Sequence, residues 1–187
     1  MTGEERRRII PLAMRAALAS VAMATSLLLL KGYGAWHTGS VAMLGSLADT
    51  ALDLLASLVT LYGVKLAAEP ADHDHRFGHG KAEALAALFQ VALITASAAA
   101  IAWRAIAALR NPEPTHDAGL GITVSVLAIA ATLLLLWYQR HIIRRTGSVA
   151  IMADNLHYQS DALLNGSVIV ALVLDQLVGW SWADPVL

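Results

Sequence analysis

Ser46-Leu-Ala-Asp49-Thr-Ala-Leu-Asp53 decides how this chain is read. The stretch lies inside an apolar run and carries two carboxylates four residues apart. On a helix, positions i and i+4 share a face. A charged side chain at the bilayer centre costs about 3 kcal/mol or more, so two on one stripe need a compensating partner. His157-Tyr-Gln-Ser-Asp161, in the last apolar run, repeats the same spacing. Two facing helices bearing Asp49, Asp53, His157 and Asp161 would enclose a tetrahedral site for a divalent cation. The bland alternative is that the acids pair with Lys31 or Arg104, or line a proton path without metal.

Composition agrees with a membrane setting. The chain has 187 residues, of which 57% are hydrophobic and 14% charged, and its mean hydropathy is +0.59. Soluble domains carry about 25% charged residues. A formal net charge of -1 argues against a nucleic-acid partner. With no cysteine, neither a disulfide frame nor a thiolate site is possible. Any metal must be held by His, Asp and Glu.

Five stretches reach the roughly 20 apolar residues of a spanning helix: about 14–36, 40–66, 82–109, 118–138 and 149–178. The predicted fold is therefore all-α, a polytopic transmembrane helix bundle. Residues 1–13 read as a cytoplasmic N-terminal extension, because the apolar run after Arg6-Arg7-Arg8 is too long for a signal core. Gln139 to Gly147 reads as a connector. Lys65, Arg76 and Lys81 flank the second connector, and Arg140, Arg144 and Arg145 fill the fourth, which places both loops and the N-terminus in the cytoplasm. Asp53 lies 12 residues before Lys65, and His157 lies 8 residues after Val149. At about 1.5 Å per residue, those depths are roughly 18 and 12 Å from the cytoplasmic side. The two acid pairs thus meet at comparable depth on antiparallel helices.

A second constellation fills the loop Asp72-His-Asp-His75-Arg-Phe-Gly-His79. Asp72, His75 and His79 suit a more exposed metal site, and Gly78 and Gly80 let the backbone turn into the third span. His37, His116 and His141 read as surface histidines. Asp154 reads first as a solvated residue near the cytoplasmic mouth, and second as a group that meets arriving metal or supports a ligand. Asn155, Gln159 and Asn165 read as hydrogen-bonding groups between helices. Trp36, Trp103, Trp137, Trp180 and Trp182 read as interfacial anchors. A sulfur-free donor set with imidazole suits Zn2+, Fe2+, Co2+ or Mn2+, with Cd2+ a further possibility. Such a metal must displace protons to bind, which provides a means of exchanging the two.

At these residues the sequence resembles the cation diffusion facilitator family, particularly its bacterial zinc and ferrous-iron efflux branch. The marks are Ser46 to Asp53, Phe77-Gly-His-Gly-Lys-Ala-Glu83, and Ala153-Asp-Asn-Leu-His157 through Asp161. The resemblance implies a six-helix domain, of which five spans are present here, followed by a cytoplasmic metal-binding domain that this sequence lacks. It implies a homodimer in the inner membrane that exports zinc, or a related cation, against protons. It makes Asp49, Asp53, His157 and Asp161 the transport site, and Asp72, His75 and His79 the loop site. It puts Leu156 at a hydrophobic gate and Lys81 among charges at the dimer interface. The alternative is a non-transporting membrane metal sensor or assembly scaffold. An enzyme is disfavoured, since no nucleophile–base pair or cofactor motif is evident.

Overall fold

A computed structural model describes residues 3–38, 41–110 and 118–178, with the side chains of most of them. Five α-helices follow in order: α1 (Gly3–Thr38), α2 (Val41–Ala67), α3 (Lys81–Arg110), α4 (Ala118–Thr146) and α5 (Val149–Val178). No strand occurs among the described residues. The helices pack as a ring in the order α1, α2, α3, α5, α4 and back to α1, and α2 also touches α5 across it. That cross-contact brings Asp53 of α2 beside His157 and Asp161 of α5.

Each expected span overlaps one of these helices, and two helices run well beyond the spans expected for them. The lead-in expected over residues 1–13 is helical from Gly3, so α1 runs on through Pro11 without a break. Gln139 to Thr146, read as a connector, is the last part of α4. Its polar residues hide an inward stripe: Gln139 and Ile142 are buried, while Arg140, His141, Arg144 and Arg145 are exposed. Residues three apart share a helix face, so an amphipathic end continues an apolar helix. The true connection is Gly147-Ser148. Gly147 ends α4 at φ 62, a left-handed conformation that favours glycine. Ser148 Oγ then accepts from the Ile151 amide at 3.4 Å, as an N-cap does.

Four stretches are long and apolar enough to cross a membrane: Ile10–Trp36, Ser46–Ala68, Lys81–Trp103 and Val126–Thr146. The chain is therefore a multi-pass membrane protein. α5, expected as a fifth span, does not meet that standard among the described residues. Asp154, Asn155, His157, Gln159 and Asp161 crowd its first half and lower its hydropathy. α5 nevertheless packs against all four other helices, so its polar face meets protein.

Small residues allow close approach. Ala13, Ala16, Ala17, Ala86 and Ala150 join Val64, Ile142 and Ile151 in the main core cluster. At Gly63 an added Cβ would lie 2.5 Å from Ala86 Cβ and 3.1 Å from the Ala82 carbonyl oxygen. α2 and α3 thus touch nearly backbone to backbone, as small residues permit in lipid.

Candidate metal centre

His157 is 4% exposed on α5. Its Nε2 lies 3.2 Å from Asp53 Oδ1 on α2 and 3.6 Å from Asp161 Oδ2 one turn further along α5. One ligand atom from each of the three residues lies within 4.8 Å of the others. A tetrahedral Zn2+ with bonds near 2.1 Å needs neighbouring ligand atoms about 3.4 Å apart. The two shorter separations bracket that value. Asp161 Oδ2 is enclosed and has no hydrogen-bond partner, although an enclosed carboxylate oxygen ordinarily finds one. An unsatisfied acceptor beside an imidazole nitrogen and a second carboxylate is a donor set suited to a cation.

The fourth expected ligand, Asp49, stands apart. It is exposed, one turn before Asp53 on α2, and is not among the converging ligand atoms. Lys31 of α1 also approaches this end of the site. Its Nζ donates to Thr50 Oγ1 at 2.8 Å, within electrostatic reach of Asp53, Asp49 and Asp161. Among the described residues it forms no ion pair within 4.0 Å of those acids, so the lysine-pairing alternative is met only in part. The Arg104 side chain lies outside the described residues.

The loop cluster also forms. Asp72 Oδ1 accepts from the His75 amide and lies 3.2 Å from His75 Nδ1. Asp72 Oδ2 lies 3.7 Å from His79 Nε2, and the two imidazole centroids are 4.4 Å apart. The His75 amide bond holds the Asp72 carboxyl below the ordinary carboxylate range. His79 Nδ1 is enclosed and unpartnered. Gly78, at φ 75, makes the turn that brings His79 back beside Asp72, whereas Gly80 has no positive φ.

Leu156, expected at a gate, is exposed beside His157, and Lys81 is exposed at the start of α3. Of the histidines expected at the surface, His141 is exposed, and the side chains of His37 and His116 lie outside the described residues. Trp36, Trp103 and Trp137 are exposed; Trp180 and Trp182 lie outside those residues. Asn155 bonds across to α4, at the Leu136 carbonyl (3.4 Å) and Gln139 Oε1 (2.9 Å). Gln159 and Asn165 bond instead within α5, to Asn155 Oδ1 and the Asp161 carbonyl. Their donors find acceptors one turn back on their own helix.

The mouth position for Asp154 is corrected. Asp154 is fully buried. Its carboxylate accepts from Ser20 Oγ at 2.6 Å, Gln139 Nε2 at 2.7 Å and Gln90 Nε2 at 3.0 Å. A position three before His157 lies about 60° round the helix from it, enough to turn Asp154 towards other helices. Ser20, Gln90 and Gln139 attract no attention in the sequence, although a Gln inside an apolar helix is itself a signal for a buried partner. Two further contacts are likewise unforeseen. Tyr158 Oη pairs with Ser57 Oγ at 2.9 Å and donates to the Ser20 carbonyl at 3.3 Å. Glu83 Oε2 accepts from Ser148 Oγ at 2.8 Å and from the Val149 amide at 3.1 Å, holding the start of α5 from α3.

Fold and site together define an all-α multi-pass membrane protein with ionisable residues converging between two of its helices. The cation efflux transmembrane domain family matches residues 17–187, and the chain belongs to that family. Its members are transporters rather than enzymes. The cation-efflux pump FieF of Klebsiella pneumoniae is 47% identical over 173 residues, covering 92% of this chain. The FieF pump of Salmonella newport (strain SL254) matches to the same extent. The chain spans 57% of the length of each of these relatives.

Proposed function

We propose that this chain forms the membrane part of a divalent-metal exporter, with Zn2+ as its main cargo, in which the cation is exchanged for protons. The observation that carries this reading is the convergence of Asp53, His157 and Asp161 from α2 and α5 at spacings suited to a tetrahedral cation. Asp49, one turn from Asp53, supplies the fourth ligand when metal arrives. The donors are oxygen and nitrogen only, which leaves Fe2+, Cd2+, Mn2+ and Co2+ as competing substrates. Loading displaces protons from the ligand groups, and reprotonation on the opposite side releases the metal.

The remaining assignments belong to the same reading. Lysine and arginine bias favours a cytoplasmic N-terminus and cytoplasmic α2–α3 and α4–α5 loops, and the family resemblance favours an inner membrane. Asp72, His75 and His79 then bind a second metal on the cytoplasmic side. Leu156 closes a hydrophobic gate beside His157, and Lys81 contributes charge to a homodimer interface. The part of residues 1–13 that precedes the apolar stretch from Ile10 is the cytoplasmic extension.

Vesicles containing the protein under an imposed pH gradient test the mechanism. Zinc uptake should follow the gradient, stop with Asp49→Ala and stop with His157→Ala. Uptake that persists in either variant would count against the assigned ligands, and zinc binding without flux would support a sensor or scaffold.

A further inference from the structure

Asp154 is the most deeply enclosed acid of the described chain, and the metal chemistry above does not use it. Burying a carboxylate costs several kcal/mol unless hydrogen bonds or a counter-charge offset it. No Lys or Arg pairs with Asp154 among the described residues. Donors from three helices surround it instead: Ser20 Oγ of α1 at 2.6 Å, Gln90 Nε2 of α3 at 3.0 Å and Gln139 Nε2 of α4 at 2.7 Å. Gln139 also donates to Ser20 Oγ at 2.9 Å and accepts from Asn155, the next residue of α5. Ser20, Gln90, Gln139 and Asp154 are each 0% exposed. One carboxylate therefore ties α5 to α1, α3 and α4 at a single level, less than one turn before His157.

We infer that Asp154 is a positioning residue for the intramembrane cluster. Its bonds to Ser20, Gln90 and Gln139 set the rotation and depth of α5, and so the distance of His157 Nε2 from Asp53. The inference rests on the reading of Asp53, His157 and Asp161 as cation ligands. The role is one of hydrogen bonding rather than of charge, and the surroundings make that distinction testable. Gln90 Oε1 is enclosed without a partner. If Asp154 became asparagine, Ser20 and Gln139 would keep their acceptor, and Gln90 could turn its amide to accept from the new NH2 in exchange for the bonds its Nε2 gives the Ala56 carbonyl and Thr60 Oγ1. Alanine at 154 would leave Ser20 only the Ala16 carbonyl of its own helix, Gln90 the Ala56 carbonyl and Thr60 Oγ1 of α2, and Gln139 the Ser20 hydroxyl.

Co2+ binding to the full chain in nanodiscs is the test, in a background carrying Asp72→Ala and His79→Ala so that only the intramembrane cluster responds. The visible absorption of bound Co2+ reports tetrahedral geometry, and titration gives its affinity. Asp154→Ala should weaken binding by about 10–100-fold, the usual effect of removing a group that orients a ligand, and should alter the spectrum. Asp154→Asn should stay within about threefold of the parent with the parent spectrum. Gln139→Leu, which keeps the carboxylate and removes one of its donors, should move affinity and spectrum in the direction of Asp154→Ala; it covers the case in which the alanine variant does not fold. Parent-like binding by folded Asp154→Ala, or by Gln139→Leu, would overturn the inference. So would an Asp154→Asn variant as weak as the alanine, since charge would then be what matters. Failure of the functional reading looks different: the parent itself would show no Co2+ spectrum that Asp53→Ala abolishes.

Discussion

The tight contact between α2 and α3 offers the sharpest mechanical test. Gly63→Ala adds one methyl group where these helices meet, placing it 2.5 Å from Ala86 Cβ and 3.1 Å from the Ala82 carbonyl oxygen. Carbon atoms rest at about 3.5–4.0 Å, so the helices must separate locally by about 1 Å or more. Neither opposing atom is the end of a flexible side chain, and a rotamer change cannot relieve the contact. Overpacking of this kind costs about 1–3 kcal/mol, against about 1 kcal/mol gained from alanine's helix preference over glycine. A net loss of about 1 kcal/mol follows, with a larger loss for Gly63→Leu. Ala86→Gly removes the nearer obstacle at a cost of about 1 kcal/mol in helix preference, so the double variant Gly63→Ala with Ala86→Gly should be less destabilised than the sum of the two single variants. Thermal unfolding in detergent, followed by size-exclusion chromatography, measures the parent, the three single variants and the double variant. A Gly63→Ala protein as stable as the parent, or a double variant whose loss equals the sum of the singles, would refute the packing argument.

Other outcomes follow from single contacts. Glu83→Ala removes the acceptor shared by Ser148 Oγ and the Val149 amide and should cost about 1 kcal/mol, as lost helix caps do; a melting temperature equal to the parent's would contradict this. Tyr158→Phe deletes the hydroxyl that pairs with Ser57 and the Ser20 carbonyl. It should lower stability by about 0.5–1.5 kcal/mol without removing metal binding, as calorimetry would show. In the loop, the lowered Asp72 value means that its bond with the His75 amide favours folding above the unfolded pKa near 3.9, and is lost only as pH falls through the lower folded value. The Asp72 carboxyl carbon, followed by NMR, should titrate below that ordinary value, and a midpoint at or above it would count against the hydrogen bond.

Much of this architecture is legible in the sequence because hydrocarbon makes polar residues conspicuous. Asp53, His157 and Asp161 stand out in apolar runs, and their spacing alone puts His157 and Asp161 on one helix face. Helix limits follow from the same contrast and fail where it fades. Arg140, Arg144 and Arg145 outnumber Gln139 and Ile142 to the eye, so the buried stripe at the end of α4 reads as a loop. Asp154 misleads for a related reason: charge near a predicted membrane boundary implies solvent, and only tertiary packing brings Ser20, Gln90 and Gln139 to it. Asp49 shows the limit of spacing arguments. Sharing a face with Asp53 makes convergence on His157 feasible, yet here the Asp49 side chain points to an exposed position.

The exporter reading depends on a single cation gripped between α2 and α5. Anomalous diffraction at the zinc absorption edge, from crystals soaked in Zn2+, looks for that cation itself. A peak is expected within about 2.0–2.2 Å of His157 Nε2 and of carboxylate oxygens from Asp53 and Asp161. Zinc confined to the Asp72, His75 and His79 loop, with no peak among those three residues, would contradict the reading.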